Sequence, residues 1–142
     1  MDLSYHYLML LNHSAYQKQV YEKLSNINLS IGQPKVLDFL YEHNGCMQKE
    51  IAIGCQIEPA SVTSILSKME KDGYVERVNE EGNRRSLYVY LTEKGLNTAV
   101  KVRQVMEEIE EKTLKKLTSK EREVLLELLK KVNEGLFDHT FL

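Results

Sequence analysis

The sequence lacks an excess of basic residues, long apolar runs and a secretory signal. Nineteen Lys and Arg residues stand against 21 Asp and Glu residues, which gives a formal net charge of -2. Residues 46–94 contain 7 basic and 8 acidic residues, so composition alone does not indicate nucleic-acid binding. No apolar run approaches the ~18 residues that a membrane span requires. The N-terminus has no basic segment and no small-residue cleavage site. We therefore expect a cytoplasmic protein with no membrane partner.

The spacing of the cysteines and histidines in the sequence does not match that of a metal site, and no catalytic motif is recognised. The only cysteines, Cys46 and Cys55, are nine residues apart, and the four histidines show no metal-ligand spacing. We expect two buried, unreactive thiols in a reducing compartment. The sequence contains no P-loop, dinucleotide fingerprint, nucleophile elbow or zincin helix. We therefore predict that the protein is not an enzyme and that it holds no metal and no cofactor.

Helical periodicity dominates both ends of the chain. Apolar residues recur every three or four positions, as on the buried face of an amphipathic helix. Capping boxes are predicted at Ser30–Gln33 and Thr118–Glu121, and Pro59 suits the first turn of a helix. Together these signals predict six helices, over about 3–24, 30–44, 48–55, 59–71, 92–117 and 118–136.

The apolar period changes between the fourth and fifth of these helices. Residues 74–78 are strand-like, residues 80–83 form a turn cluster, and residues 86–91 alternate. Leu87, Val89 and Leu91 are predicted on one face and Tyr88 and Tyr90 on the other. Two short helices followed by a hairpin are typical of a winged helix-turn-helix. We expect a mainly α fold with a small β-hairpin wing.

Several short motifs follow one another in a specific order. They are Glu50-Ile51-Ala52, Ser61-Val62-Thr63, Asp72-Gly73-Tyr74-Val75-Glu76-Arg77, Asn83-Arg84-Arg85-Ser86, and Val89-Tyr90-Leu91-Thr92-Glu93-Lys94-Gly95. In this order and spacing, from about Leu29 to the last helix, the chain resembles the MarR (multiple antibiotic resistance regulator) family. It departs from the family pattern at Asn83, where an Asp is usual, and at Met47, where a Ser or Thr helix cap is usual. We therefore expect the third helix to begin less firmly and the wing tip to be less rigid.

The resemblance implies a homodimer built by the terminal helices. Residues 1–28 and 96–142 form the predicted dimerisation region, and residues 29–95 form the DNA-binding region of one compact chain. The resemblance also implies a recognition helix in the major groove of double-stranded DNA and a wing arginine in the minor groove. Release of the DNA by a small aromatic or phenolic effector or by an oxidant is a further implication.

Twelve residues are the predicted DNA contacts. Most lie on the polar side of the fourth helix, where small hydroxyls permit close approach to bases and phosphates but stabilise a helix poorly. The set comprises Gln48, Lys49, Pro59, Ala60, Ser61, Thr63, Ser64, Ser67, Lys68, Arg77, Arg84 and Arg85. We expect Arg85 to suit the negative potential of a narrow minor groove better than Arg84 does. Arg77 either contacts phosphate or braces the hairpin through an ion pair, and we favour bracing.

The sequence therefore predicts a sequence-specific transcriptional regulator, a repressor or an activator, that binds an inverted-repeat operator as a homodimer. Two alternatives remain open. A winged helix used only as a protein-interaction module is favoured by the net charge. A thiol-based redox-sensing regulator rests only on the two cysteines. The residues that bind an effector are unknown from the sequence.

Overall fold

The computed structural model describes residues 3–137, except for the side chains of residues 83–86. The elements in chain order are α1 (Tyr5–Lys23), α2 (Gln33–Glu42), β1 (Cys46–Met47), α3 (Gln48–Gly54), α4 (Pro59–Lys71), β2 (Val75–Glu80), β3 (Asn83–Leu91), α5 (Glu93–Thr113) and α6 (Ser119–Leu136). They belong to two compact units, Met1–Met106 and Glu107–Leu142. The predicted mainly helical fold with a hairpin wing is confirmed.

The core of the first unit lies among the short helices and the sheet. Val36, Leu37 and Leu40 of α2 are fully buried. So are Ile51 of α3, Val62, Leu66 and Met69 of α4, and Val89 of β3. The spacing in α4 is three or four residues, which places one apolar stripe inward and leaves the opposite face to solvent. This division of α4 positions its polar face, on which the predicted DNA contacts lie.

The sheet has three antiparallel strands in the order β1-β3-β2. Strand β2 pairs with β3 from Val75–Leu91 to Glu80–Asn83, with an irregularity at Asn79 and Glu80. The predicted alternation in β3 is confirmed, because Val89 is fully buried whereas Tyr90 is 43% exposed. Strand β1 was not predicted, since its two residues are too few to show a period. It pairs Cys46 with Val89 and joins the start of α3 to the wing.

The start of α2 differs from the prediction. The helix begins at Gln33, and Gly32, with a φ of 88°, is its N-cap. Ser30 lies before the helix in a turn, where its backbone N–H donates to Gln33 Oε1 at 3.1 Å. One of the two bonds of a capping box, from the Ser30 backbone to the Gln33 side chain, is therefore present. It closes a turn that precedes the helix. Tyr41 continues the three- to four-residue spacing of the buried residues of α2, yet it is 42% exposed and lies under the Arg103 guanidinium.

The second unit consists of the end of α5 and the whole of α6. The capping box predicted at Thr118 is confirmed, since Glu121 N donates to Thr118 Oγ1 at 3.2 Å and Thr118 N donates to Glu121 Oε2 at 2.7 Å. No residue of α6 is buried in the single chain. Within the described part of the chain, no helix has the length and apolar character needed to cross a bilayer.

Candidate nucleic-acid interface

Helices α3 and α4 form a pair joined by a four-residue turn. Pro59 occupies the first turn of α4, where a missing N–H leaves no helix bond unmade. Ala60, Ser61, Thr63 and Ser64 follow, and all four are exposed. The first turn of a helix has backbone N–H groups without helix partners and a partial positive charge, both of which favour a phosphate. The start of α4 therefore presents small side chains and free amide donors on one surface.

Gln48, at the start of α3, does not project freely from this surface. It is half-buried, and its Nε2 donates to Thr63 Oγ1 across the two helices at 2.9 Å. Thr63 Oγ1 in turn donates to Pro59 O at 3.2 Å. The helix itself begins firmly despite Met47 at the N-cap position, because Met47 N donates to the Glu50 carboxylate at 2.7 Å. The structure thus joins two of the predicted contacts, Gln48 and Thr63, to each other.

Arg77 of β2 is bound to the end of α4. Its Nη2 lies 3.3 Å from Glu70 Oε1, and its Nε donates to Glu70 Oε2 at 3.4 Å. Its backbone N–H donates to the same carboxylate at 3.1 Å, and Nη2 also donates to Ser67 Oγ at 3.2 Å. The Arg77 side chain is 16% exposed, and its hydrogen bonds hold the pKa of Glu70 below the usual range. These bonds are the bracing contact that the sequence favoured.

Ser67 and Lys68 are also engaged within the protein. Ser67 Oγ donates to Thr63 O at 2.8 Å in addition to accepting from Arg77. Lys68 Nζ donates to Ser30 Oγ, which ties the middle of α4 to the segment before α2. Lys49 is exposed at the start of α3. Of these three predicted contacts, Lys49 alone forms no hydrogen bond or ion pair with another element among the described residues.

The wing arginines lie further into the strand than the sequence indicated. The backbone of Arg84 and Arg85 belongs to β3, which begins at Asn83, directly after the turn at Glu81 and Gly82. The side chains of residues 83–86 lie outside the described residues. The proposed minor-groove contacts of Arg84 and Arg85, and the consequence of Asn83 for the wing tip, therefore stay predictions.

The two cysteines are free thiols in different surroundings. Cys55 is buried, as expected, and its Sγ donates to Lys35 O at 3.5 Å. Cys46 is only half-buried, because it lies in β1 at the edge of the sheet. Burial raises the pKa of Cys55 to about 12 and that of Cys46 to about 11. Both thiols are protonated at neutral pH, which makes them poor nucleophiles.

A cavity of about 390 Å³ lies in the first unit. Helix α1 contributes polar and aromatic side chains to it, α2 contributes Lys35, and the turn after α3 contributes Cys55 and Gln56. The lining residues are His13, Tyr16, Gln17, Val20, Tyr21, Ile31, Gly32, Pro34, Lys35, Cys55, Gln56 and Met106. Gln56 has a positive φ of 52°, which is uncommon for a residue with a side chain. Because Cys55 and Gln56 line it, the cavity reaches the turn that leads into α4.

Helices α3 and α4, the β2–β3 hairpin and the short strand β1 together define a winged helix-turn-helix protein. Residues 29–87 match the model of the MarR family. The chain is 27% identical over 112 residues to the transcriptional regulator BilQ of Clostridium symbiosum, covering 79% of this chain and 78% of BilQ. It is 26% identical over 124 residues to the transcriptional repressor IacR of Pseudomonas putida, covering 87% and 74% of the two chains. The chain thus matches the MarR family over its winged helix-turn-helix, residues 29–87, and is similar to transcriptional regulators over more than three quarters of its length.

A solved structure agrees with this assignment at the level of the fold. The S. aureus MepR–DNA complex superimposes with a TM-score of 0.82 at 24% identity, covering 96% of this chain and all of MepR. The similarity extends beyond the winged helix to the terminal helices, because it covers nearly the whole chain.

Sequence reasoning missed the partners that hold the predicted contacts in place. Glu70 was not singled out and Ser30 was predicted only as a helix cap, yet they bind Arg77 and Lys68. For Glu70 a signal exists, since it is an acidic residue at the end of a helix that runs directly into the strand containing Arg77. Ser30 is 38 residues from Lys68, and no local pattern reveals such a pair.

Proposed function

We propose that the protein is a homodimeric repressor that binds an inverted-repeat operator. The first half of α4 enters the major groove, and the wing, with Arg84 and Arg85, reaches the neighbouring minor groove. The observation that carries this proposal is the start of α4, where exposed small side chains surround unpartnered backbone donors. A surface of this kind permits close approach to base edges and phosphates. The similarity to MepR, solved in complex with DNA, and to the transcriptional repressor IacR supports the same assignment.

Eight of the twelve predicted contacts divide into two groups under this proposal. Ala60, Ser61 and Ser64 face the groove directly, together with Lys49 on α3. A second group supports the surface through bonds within the protein. It comprises Gln48, Ser67 and Arg77, with Lys68 contributing its charge from beside Ser30. Residues of the second group are expected to affect DNA binding by holding α4 and the wing in place.

The dimer is supported by apolar surface that a single chain leaves uncovered. In α1, Leu10 is 52% exposed and Leu11 48%, and only Val20 of that helix is buried. In α6, Leu128 is 53% exposed and Leu136 65%. Extended apolar surface of this kind marks an association site or an aggregation liability. We assign it to a second copy of the chain, with residues 1–28 and 96–142 as the dimerisation region and residues 29–95 as the DNA-binding region.

Effector release is assigned to the cavity between α1, α2 and the turn after α3. Its volume of about 390 Å³ falls within the range of small-molecule sites. Tyr16, Tyr21 and His13 provide aromatic surface, and Lys35 provides a cation. A small aromatic or phenolic effector suits this lining. Because the cavity wall includes Gln56, which lies three residues before Pro59, an occupant contacts the turn that sets the position of α4.

We place this activity in the cytoplasm and assign the protein no reaction of its own, in line with its similarity to transcriptional regulators. The raised thiol pKa values count against a thiol-based redox sensor. The net charge of -2 remains in favour of a pure protein-interaction module, so the deciding experiment must detect DNA binding directly.

That experiment is selection of duplexes from a random DNA library, combined with sedimentation equilibrium of the free protein. A homodimer should recover near-palindromes with half-sites about one helical turn apart, roughly 34–36 Å. A species of 16.5 kDa alone at micromolar concentration contradicts the dimer. Failure to enrich any sequence contradicts the operator and favours the interaction module.

A further inference from the structure

Thr63 lies on the exposed side of α4, but its hydroxyl has little capacity left for DNA. A threonine hydroxyl has one proton to donate and two lone pairs to accept with. The proton goes to Pro59 O, with an Oγ1–O distance of 3.2 Å. One lone pair accepts from Gln48 Nε2, at 2.9 Å. Thr63 therefore offers no hydroxyl donor to a base, and what it keeps is one acceptor lone pair and its methyl group.

The orientation of the Gln48 amide follows from the same two bonds. Because the only hydroxyl proton of Thr63 lies on Pro59 O, Gln48 must present its NH₂ group to Oγ1. The Gln48 Oε1 atom is buried and has no partner among the described residues. An acceptor enclosed in this way cannot reach a base or a phosphate. The Nε2 atom of Gln48 is therefore bonded to Thr63, and its Oε1 atom is enclosed by the protein.

The neighbouring serines of α4 differ in this respect. Ser67 is fully engaged, since it donates to Thr63 O and accepts from Arg77. For Ser61 and Ser64, which are exposed, no side-chain hydrogen bond is found within the described part of the chain. Their hydroxyls keep both a donor and acceptors and rotate to suit a base edge. Thr63 thus lies between two serines whose hydroxyls can still donate, whereas its own hydroxyl proton is already engaged.

We propose that Thr63 recognises thymine through its methyl group and that Gln48 is the positioning residue that orients it. This inference rests on the proposed entry of α4 into the major groove. Thymine is the base that presents a methyl group there, at C5, and apolar side-chain contact is how that methyl is recognised. Gln48 and Pro59 hold the hydroxyl on the protein side and thereby fix the rotamer of Thr63. Each half-site then contains one thymine that is selected by an apolar contact.

The test uses the duplex recovered by selection from random DNA, with each thymine replaced in turn by deoxyuridine. This replacement removes only the C5 methyl group. For the wild-type protein, one position per half-site should lose about fourfold in affinity, the equilibrium equivalent of uncovering one methyl-sized group. Thr63→Ser, which keeps the hydroxyl and its two bonds, should bind the thymine and uracil duplexes equally. Thr63→Val, which keeps a methyl and loses the hydroxyl, should retain the fourfold difference.

Gln48 is tested through the same uracil effect. Gln48→Ala frees the Thr63 hydroxyl to rotate, so the uracil effect at that position should shrink. In the double variant Gln48→Ala with Thr63→Val the effect should return, because valine has no hydroxyl to reorient and strongly prefers one rotamer in a helix. Rescue of this kind distinguishes positioning from a general loss of stability. Thermal melting of all four variants confirms that each is folded.

The outcomes separate this inference from the function on which it rests. If selection enriches no duplex, the proposed operator binding fails and the inference fails with it. If an operator is found but no thymine is sensitive to uracil, operator binding stands and methyl recognition is overturned. An unchanged uracil effect in Thr63→Ser overturns it as well. Failure of the double variant to restore the effect overturns the role of Gln48.

Discussion

Replacing Arg77 distinguishes a brace from a DNA contact. Arg77→Ala removes the bonds from its guanidinium to the Glu70 carboxylate and to Ser67 Oγ, whereas the bond from its backbone N–H to Glu70 remains. The guanidinium is largely enclosed, but Glu70 is 43% exposed, so water screens the ion pair. Exposed pairs contribute about 0.2–1 kcal/mol, and the lost bond to Ser67 and lost packing of the arginine stem add to this. We expect a loss of about 1–2 kcal/mol in the free energy of unfolding.

The assay is urea denaturation at one fixed protein concentration, because the stability of a dimer depends on concentration. With a slope of about 2 kcal/mol per molar urea, the midpoint should fall by roughly 0.5–1 M. Arg77→Lys is the matched control, since it keeps the charge but cannot reproduce the forked geometry. It should recover only part of the loss.

Salt dependence supplies the result that would refute the reasoning. A lost phosphate contact lowers the slope of log K against log salt by about 0.9 for each contact, hence by roughly 2 for the proposed dimer. A brace predicts lower DNA affinity with the slope nearly unchanged. If Arg77→Ala instead lowers the slope by that amount and leaves the urea midpoint in place, Arg77 contacts phosphate and the bracing role is wrong.

The remaining predictions concern the wing tip, the wing-to-helix junction and the thiols. Arg85→Ala should leave thermal stability nearly unchanged and lower the slope of log K against log salt by about 1 for each protomer's contact. An unchanged slope would mean that the wing does not enter the groove. Gly95→Ala places a Cβ 1.9 Å from Tyr74 O and should destabilise the fold by about 3 kcal/mol or more, visible in the melting temperature. Cys46 and Cys55, with pKa values raised to about 11 and about 12, should react slowly with a thiol reagent at pH 8 while the protein is folded and rapidly once it is unfolded. Fast reaction of the folded protein would revive the redox-sensing alternative.

Local chemistry made most of the fold predictable. Pro59 marks the start of α4 because proline is tolerated in the first turn of a helix, and the Thr118–Glu121 box marks the start of α6 through two reciprocal bonds. The alternation of β3 follows from burying one face of a strand. Strand β1 escaped prediction because two residues define no period. The true start of α2 escaped because its N-cap is a glycine with positive φ, Gly32, and not a serine.

The candidate site was predictable only as a surface. Periodicity identifies which face of α4 is polar, and that face is exposed as expected. It does not show that Gln48 binds Thr63, 15 residues away, or that Lys68 binds Ser30. Such bonds depend on how elements pack, and they decide whether a polar side chain contacts DNA or supports a neighbour that does. The cavity lining likewise comes from α1, α2, α5 and the turn after α3, and no one segment reveals it.

The low net charge has a physical consequence for a DNA-binding protein. Each arginine whose side chain the structure describes forms an ion pair within the chain, Arg77 with Glu70, Arg103 with Glu42 and Arg122 with Glu111. Their charges are offset locally, so they attract distant phosphates weakly. Non-specific DNA binding is almost entirely electrostatic, and a chain with a net charge of -2 should therefore bind random DNA weakly. Under the proposed binding mode, recognition depends on short-range contacts made by the small side chains at the start of α4, which favours a high ratio of specific to non-specific affinity. A protein of this kind does not need a basic domain, because discrimination between sequences rests on close fit in the groove more than on attraction to the backbone.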